Sequence, residues 1–595
     1  MWYDGTKENE EESDDQVTER LFRWQKRKMR QQLAVVRGEK PPSLVLKNAT
    51  YLNQARHQWI KKHIWIAQDR IVYIGDEMPS LGKHTEIVEC SDSLIVPGYI
   101  EHHAHPFQLY NPHSFAKYAA LRGTTTLIND NLLFFLALEE KKALSMIEEL
   151  DELPTTMFWW ARYDSQTELK DDVPFPNSKM KAWLEHHRVV QGGELTSWPK
   201  VLEGDDSILH WLQETTRLRK PIEGHLPGAS KKTLSQMALV GVTSDHEAIN
   251  GEEAVRRLDL GYITSLRYSS IRPDLPNILK EMQELGIERF DRCLLTTDGS
   301  SPSFYEDGVM DKLIKIALDS GLKPEDAYGM ATYYPARYYN LDHRLGMIAP
   351  GRMAHLNFLS SLNEPTPISV LGKGQWLVKE GKQYDVGKSF PWEKYDLKPL
   401  ELKWDLDESD LHFSIPMGIE MVNAVILKPY QIPVEPVGRA LAHNHDESFF
   451  AMIDRGGEWQ ITTMLKGFAT KVSGFASSYS GTGDIILIGK SIKDMVAAFR
   501  ALKEQGGGMT LVENGEVIGR IVLSLLGMVS LKSMEGIMED EKQFVKLLRE
   551  RGYKHEDPMY SLQFFASTHL PYIRVTPKGI YDVRKKMVLF PSIMR

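Results

Sequence analysis

The stretch VPGYIEHHAHPFQLY, residues 96–110, places three histidines in four positions directly after an apolar run. Imidazole is costly to bury without a partner, so these side chains need an explanation at the end of a predicted core strand. Alternation along a strand sends residues two apart to the same face, so His103 and His105 point one way and His102 the other. Two imidazoles on one face at a strand end can hold a divalent cation.

A second copy of the pattern shows that two spaced histidines are not sufficient. His443 and His445 occur in AHNHDE, residues 442–447, which lies in a charged segment with no preceding apolar strand. A pair of exposed histidines explains that copy, and we predict that it lies at the surface. The first copy therefore needs support from other parts of the chain.

Further polar side chains supply that support, because each one closes a separate strand-like run. Glu194 follows VVQGG, His225 follows PIEG, His246 follows GVTSD and Asp298 follows LLTT. Alone, each would more often be a structural residue, but all are types that divalent metals accept as ligands. Six such residues along one segment predict a metal site.

The segment from 93 to 340 alternates short apolar runs with helical stretches, which favours a parallel sheet closed into a barrel. In such barrels the active site lies at the carboxyl ends of the strands. Strand-like patterns in 41–92 and 341–395 predict a small β-domain, and 410–595 forms a third region. Residues 1–40 are an N-terminal extension, with a predicted surface helix that packs Leu21 and Trp24 on the protein.

Net charge, cysteine count and the length of the apolar runs exclude several classes of protein. The 595 residues carry a formal net charge of -9, which argues against a nucleic-acid partner. Two cysteines cannot build a disulfide framework, and no run of about 18 apolar residues suggests a membrane span. We expect a cytoplasmic protein with a small-molecule substrate, no nucleic acid and no membrane, and a homo-oligomer is left open.

Two glycine motifs in the third region resemble ligand loops but have simpler explanations. The run Gly506-Gly507-Gly508 follows a helix rather than a strand, so we predict a helix C-cap and not a phosphate loop. Asn514-Gly515 predicts a hairpin turn.

Taken together, several motifs resemble the amidohydrolase superfamily, and specifically its adenine deaminase family. They are VPGYIEHHAH, GTTT, GHLPG, SDHEA, TTDG, MATYYPARYYNLDHRLGMIAPGRMA, GGGMTLVENG and DPMYSLQFFA. The resemblance covers roughly residues 45–590. It implies an α/β fold: a metal-dependent (β/α)8 TIM barrel, a small β-domain formed from both sides of the barrel, and a C-terminal α/β domain.

The resemblance also implies roles for the residues that close the strands. His103 and His105 would bind one metal ion, and His225 and His246 a second. Glu194 would bridge the two ions, and Asp298 would bind metal and handle the proton. Two divalent ions are expected, with Mn²⁺ or Fe²⁺ favoured and Zn²⁺ left open.

Several segments depart from the family pattern. Glu101 replaces the usual aspartate, and Gly299 follows Asp298 where a second aspartate is usual. In the C-terminal region YSGTGD, residues 479–484, replaces a loop that carries histidine and aspartate. The metal-ligand set is intact, so these departures bear on the substrate rather than on hydrolysis.

The resemblance predicts hydrolytic deamination of adenine to hypoxanthine, a step of purine salvage, with Asp298 moving the proton. Glu247 is a second catalytic candidate that either protonates the ring or fixes a ligand imidazole. Arg267 either contacts substrate or closes a salt bridge. Hydrolysis of another cyclic amidine or amide is the first alternative, and a metal-binding protein without turnover is the second.

Overall fold

The computed structural model describes residues 25–167, 175–385, 387, 389–413, 416–432, 440–441 and 446–595. Helix α1, Lys26–Val36, buries Ala34 and Val35. Val35 packs against a sheet whose first strands are β1 Leu44–Asn53, β2 Gln58–Ala67, β3 Arg70–Gly75, β4 Glu86–Glu89 and β5 Leu94–Pro97. The predicted contacts of Leu21 and Trp24 lie outside the described residues.

Eight parallel strands form the centre of the molecule, and each pairs with the next in chain order. Every residue of the first four of these strands is buried, as expected where helices cover a parallel sheet. The strands are β6 Tyr99–Ala104, β7 Thr124–Asn129, β8 Thr156–Ala161, β9 Val189–Leu195, β10 Ile222–Gly224, β11 Ser244–Asp245, β12 Ile263–Arg267 and β13 Cys293–Thr296.

The buried carboxylate of Glu101 joins the first and last strands of this sheet. One oxygen accepts hydrogen bonds from His103 N at 2.9 Å and Thr296 Oγ1 at 2.8 Å. The other accepts from Thr297 N at 2.8 Å and Thr297 Oγ1 at 2.7 Å. Glu101 therefore closes the barrel and fixes β6, which carries the histidines, against the strand that leads to Asp298.

Helices cover the barrel, and several begin at a side-chain cap. Asn111, Asp205, Ser230 and Asn250 each accept a hydrogen bond from a backbone N–H in the first turn. The helices are α2 Pro112–Leu121, α3 Leu132–Ala137, α4 Glu140–Leu150, α5 Asn177–Glu185, α6 Trp198–Leu202, α7 Asp206–Arg217, α8 Lys231–Leu239, α9 Gly251–Asp259, α10 Leu275–Glu284, α11 Met310–Asp319, α12 Pro324–Gly329 and α13 Tyr333–Tyr338.

After the barrel the chain returns to the first sheet. Four strands complete it: β14 Leu356–Leu359, β15 Ser369–Gly372, β16 Gln375–Lys379 and β17 Lys382–Gln383. Strand β14 pairs antiparallel with β5, so segments from both sides of the barrel share one sheet. The predicted barrel with a small β-domain built from both flanks is confirmed.

The C-terminal region adds a sheet with helices and a smaller three-stranded sheet. Its elements are β18 Met417–Met421, β19 Leu427–Gln431, β20 Glu447–Ile453, β21 Trp459–Lys466, β22 Gly474–Ser477, β23 Ile485–Gly489, α14 Ile492–Gln505, β24 Gly508–Glu513, β25 Glu516–Val522, α15 Met534–Glu550, α16 Pro558–Phe564, β26 Ile573–Thr576, β27 Gly579–Asp582, β28 Met587–Pro591 and β29 Ile593–Met594. The predicted C-terminal α/β domain is confirmed.

Both glycine motifs have the predicted structures. Gly506 is the left-handed C-cap of α14, and β24 begins two residues later. Asn514 and Gly515 have φ values of 53° and 80° and connect β24 to β25 in a hairpin. Within the described part of the chain, no helix combines the length and apolar character that crossing a membrane requires.

Candidate active site

All eight barrel strands end in charged or histidine side chains at the same rim. This follows from the topology, because the carboxyl ends of parallel barrel strands meet at one face. The residues, in strand order, are His103 and His105, Asp130, Arg162, Glu194, Glu223 and His225, His246 and Glu247, Arg267, and Asp298.

His103 and His105 face each other, as the strand alternation predicted. Their Nε2 atoms lie 3.1 Å apart. On the far side of each ring, His103 Nδ1 lies 2.9 Å from Glu223 Oε2 and His105 Nδ1 lies 2.9 Å from Asp130 Oδ2. The carboxylate beside each Nδ1 orients the ring by a hydrogen bond with that nitrogen, so the two Nε2 atoms are directed at each other.

Two lone pairs at this distance repel unless a proton or a cation lies beside them. Asp298 adds a third donor, since its Oδ1 is 3.1 Å from His105 Nε2 and 3.6 Å from His103 Nε2. The three side chains can offer ligand atoms to one ion.

A second pair of histidines also has two ring nitrogens facing each other. His225 Nδ1 lies 3.2 Å from His246 Nε2, while His246 Nδ1 lies 3.2 Å from Glu223 Oε1. Glu247 Oε1 is 3.5 Å from both facing nitrogens. Glu223 therefore orients one imidazole from each pair.

Glu194 lies between the two pairs. Its Oε1 is 2.6 Å from His225 Nδ1 and 3.4 Å from His246 Nε2, and its Oε2 is 3.8 Å from His105 Nε2. Arg162 Nη2 lies 2.7 Å from the same Oε2. This placement suits a carboxylate that touches two ions at once.

We expect Glu194→Gln to lower the metal content to less than half of the wild-type value, because the amide removes the negative charge between the pairs. Lys200→Ala should keep its metal, since Lys200 is exposed on α6. Elemental analysis of both variants after dialysis measures the difference. The opposite pattern would assign the bridge to a modified lysine.

Asp298 is held in an uncommon backbone conformation, with φ of 54°. Arg267 Nη1 lies 2.6 Å from Asp298 Oδ2 and 2.7 Å from Glu247 Oε1, so it pairs both carboxylates. Burial raises the pKa of Asp298, but the hydrogen bond with His105 and the charge of Arg267 outweigh it and hold the pKa well below its usual range. Arg267 thus closes salt bridges at the site and also lines the cavity.

The donor set fits divalent metal ions. Imidazole nitrogens and carboxylate oxygens are the ligands that such ions accept, and here they are directed at one another in a buried site. The carboxylates also outnumber the guanidinium groups that pair with them. Like-charged oxygens in a site of low dielectric favour a bound cation.

Metal binding should depend on pH. Burial lowers the pKa of His105, but hydrogen bonds and charges from Asp130 and Asp298 outweigh it and raise the pKa to about 9. A metal ion held by His103 and His105 must displace that proton, so the affinity of this pair for Mn²⁺ should rise about tenfold per pH unit from pH 6 to pH 8. Calorimetric titration at three pH values measures it. An affinity that does not change with pH would contradict this expectation.

Three residues of the site were missed in the sequence: Asp130, Arg162 and Glu223. Each had a readable signal, since Asp130 and Arg162 directly follow the apolar runs TTTLIN and TMFWWA. Glu223 lies two positions before His225, which places the two side chains on the same face. Their common role is to orient the imidazoles and Glu194.

Three other histidines were considered in the sequence and were not assigned as metal ligands. His102 is buried on the other face of β6, where its Nδ1 lies 3.3 Å from Tyr339 Oη. His102 therefore points away from His103 and His105, as the strand alternation predicted. His443 and His445, the second copy of the histidine pattern, lie outside the described residues, so their surface location stays a prediction.

A cavity of about 400 Å³ opens above the site, and the C-terminal region forms its far wall. Tyr560 on α16 donates a hydrogen bond to the carbonyl of Gly299, beside Asp298. His569 Nδ1 lies 3.3 Å from the carbonyl of Gln166, and burial together with nearby His225 lowers the pKa of His569 to about 3. His569 is therefore neutral at pH 7, and it donates through Nδ1.

Comparison with known proteins gives the family. Residues 94–377 match the amidohydrolase family, and residues 427–587 match the adenine deaminase C-terminal domain. A protein of Halalkalibacterium halodurans named "Putative adenine deaminase" is 69% identical over 97% of this chain and 100% of its own length. This chain belongs to the adenine deaminase family.

Two further matches describe what this chain is similar to. A Bacillus subtilis (strain 168) relative with the same name, YerA, is 50% identical over 97% of this chain and 100% of its own length. Among solved structures, the β-aspartyl dipeptidase of Fervidobacterium islandicum AW-1 aligns with 17% identity and a TM-score of 0.45. It covers 58% of this chain and 99% of that chain. Amidohydrolases use divalent metal, in agreement with the donor set described above.

Proposed function

We propose that this member of the adenine deaminase family hydrolyses adenine to hypoxanthine and ammonia. The observation that carries the proposal is a cluster of two histidine pairs, His103 with His105 and His225 with His246, in which the ring nitrogens of each pair face each other. Glu194 lies between the pairs and Asp298 beside the first. The cluster lines a cavity whose far wall is the C-terminal domain.

His103 and His105 would hold one divalent ion and His225 and His246 a second, with Glu194 touching both. We favour Mn²⁺ or Fe²⁺, and Zn²⁺ is the alternative. Ions bound there would lower the pKa of water from ~15.7 to about 7 and so supply hydroxide at neutral pH.

Asp298 moves the proton in this proposal. Its ionised carboxylate takes the proton from the attacking water as the oxygen adds to C6 of adenine, and gives it to the departing amino group. Arg267 positions that carboxylate through the bond at 2.6 Å. Asp298 has a left-handed backbone, and its Oδ1 lies 3.1 Å from His105 Nε2.

Glu247 has two roles open to it. Its contacts with His225 and His246 support a role in fixing the ligands. Burial raises its pKa, but the charge of Arg267 outweighs burial and lowers it below the usual range. As a proton donor to the ring nitrogen beside C6, Glu247 would first have to take up a proton, so the geometry favours the positioning role.

The test is ammonia release from a panel of purines and pyrimidines by the Mn(II)-loaded enzyme. We expect adenine to be the best substrate and to be preferred over adenosine, with hypoxanthine as the second product. No ammonia from adenine at full metal occupancy would overturn the proposal.

Hydrolysis of a different cyclic amidine or amide is the second candidate. It is favoured by Ser480 and Gly481, which line the cavity from the loop YSGTGD that departs from the family pattern. Ring opening without ammonia release from adenine would select it. We also propose a cytoplasmic location, with a homo-oligomer left open.

A further inference from the structure

Two glutamines on the cavity wall are joined through one buried tyrosine. Gln563 Nε2 donates to Tyr479 Oη at 2.6 Å, and the Tyr479 hydroxyl donates to Gln108 Oε1. Tyr479 is fully buried, and burial raises its pKa well above the usual range, so the hydroxyl keeps its proton. The other end of each amide has no hydrogen-bond partner among the described residues, and both glutamines line the cavity.

The hydrogen bonds that link Gln563, Tyr479 and Gln108 leave one free donor and one free acceptor at the outer ends of the two amides. A tyrosine hydroxyl donates one hydrogen bond and accepts another. One amide must therefore give its NH₂ to the tyrosine and keep its carbonyl free, while the other keeps its NH₂ free. Exchange of oxygen and nitrogen in both amides reverses the two ends but leaves one donor and one acceptor facing the cavity.

Both glutamines are held by elements that reach the candidate metal site. Gln563 lies on α16, three residues after Tyr560, which places the two on one face of the helix. Tyr560 binds the carbonyl of Gly299, next to Asp298. Gln108 lies three residues after His105, and the adjoining Leu109 carbonyl accepts from Ser530 N at 2.6 Å.

We propose that Gln108 and Gln563, held by Tyr479, are the specificity-determining residues that bind the ring edge of the substrate. The inference rests on the proposed function and names the contacts behind it. The substrate class is a planar heterocycle that carries a hydrogen-bond acceptor and an N–H donor on the edge away from the reacting carbon. An analogue that lacks one of them would leave a buried amide group unpaired.

Gln108→Leu and Gln563→Leu test the contacts while conserving most of the side-chain volume. We expect each to raise KM for adenine at least about tenfold, with kcat changed less than about threefold, because the metal ligands are untouched. Tyr479→Phe keeps the ring but frees both amides to rotate, and should raise KM by a smaller factor.

A direct measurement of adenine binding tests the role of the glutamines without requiring that the proposed reaction take place. The dissociation constant of adenine, measured calorimetrically with each glutamine variant in the Asp298→Asn background, should rise by the same factor as KM. Gln543→Leu is the matched control, since Gln543 is exposed on α15. Metal content and circular dichroism check that each variant is folded.

Unchanged affinity in both glutamine variants would overturn the inference, even if adenine is deaminated. If the wild-type enzyme instead opens a cyclic amide, the proposed function fails. The inference then stands if that amide loses at least about tenfold in affinity in the same variants, and falls if it does not.

Discussion

Replacing His103 and His105 together by alanine should reduce turnover by at least about 10³-fold and remove at least one bound ion per chain. The two Nε2 atoms, 3.1 Å apart, form one side of the proposed metal centre. Loss of a Lewis acid costs several kcal/mol of transition-state stabilisation, and each 1.36 kcal/mol is tenfold in rate. Steady-state kinetics and elemental analysis of the same preparation measure both effects.

The chain contains a matched control for this experiment. The double variant His443→Ala and His445→Ala makes the same chemical change in the same spacing, in a segment that we predict to be surface. Its turnover and metal content should equal those of the wild type within about twofold. Equal inactivation of both double variants would show that the C-terminal pair belongs to the site.

Asp298→Asn should lower kcat by about 10²- to 10⁴-fold while the protein keeps its metal, because an amide cannot accept the proton. Asparagine tolerates the left-handed backbone at this position, so the loop should be preserved. The kinetics are compared with elemental analysis of the same sample. A variant that retains more than a tenth of wild-type kcat would exclude Asp298 as the base.

Asp205→Asn provides the reference for this change. Asp205 caps α7 by accepting a hydrogen bond from Ile208 N, and asparagine caps a helix equally well. We therefore expect kcat and stability close to those of the wild type. A loss of activity there would point to a general sensitivity to lost carboxylates rather than to chemistry at Asp298.

The parts of the fold that could be predicted from the sequence are those that produce a local hydrophobic pattern. Alternating apolar strands and helices indicate a barrel, and strands on both sides of it indicate a second sheet. The pairing of β5 with β14, which joins those two flanks, spans the whole barrel segment and leaves no local pattern. The role of Glu101 was hidden for the same reason, since its partners Thr296 and Thr297 lie at the end of the last barrel strand and directly after it.

The sequence by itself determined which side chains reach the rim. His103 and His105 share a face because a strand has a period of two, and Glu194, His225, His246 and Asp298 each end an apolar run. In a parallel barrel, all such positions converge on one face. The candidate ligand set therefore follows from local spacing and one topological rule.

Only the tertiary structure decided how these groups are paired and what lies above them. Glu223 serves His103 and His246, and Arg162 joins Asp130 to Glu194, because neighbouring strand ends lie within hydrogen-bond reach. The cavity wall that we propose binds the substrate ring depends on contacts between residues that are far apart in the sequence. Tyr479 and Gln108, for example, are separated by 371 residues. No periodicity encodes such a contact, since it forms only where the C-terminal region packs against the barrel.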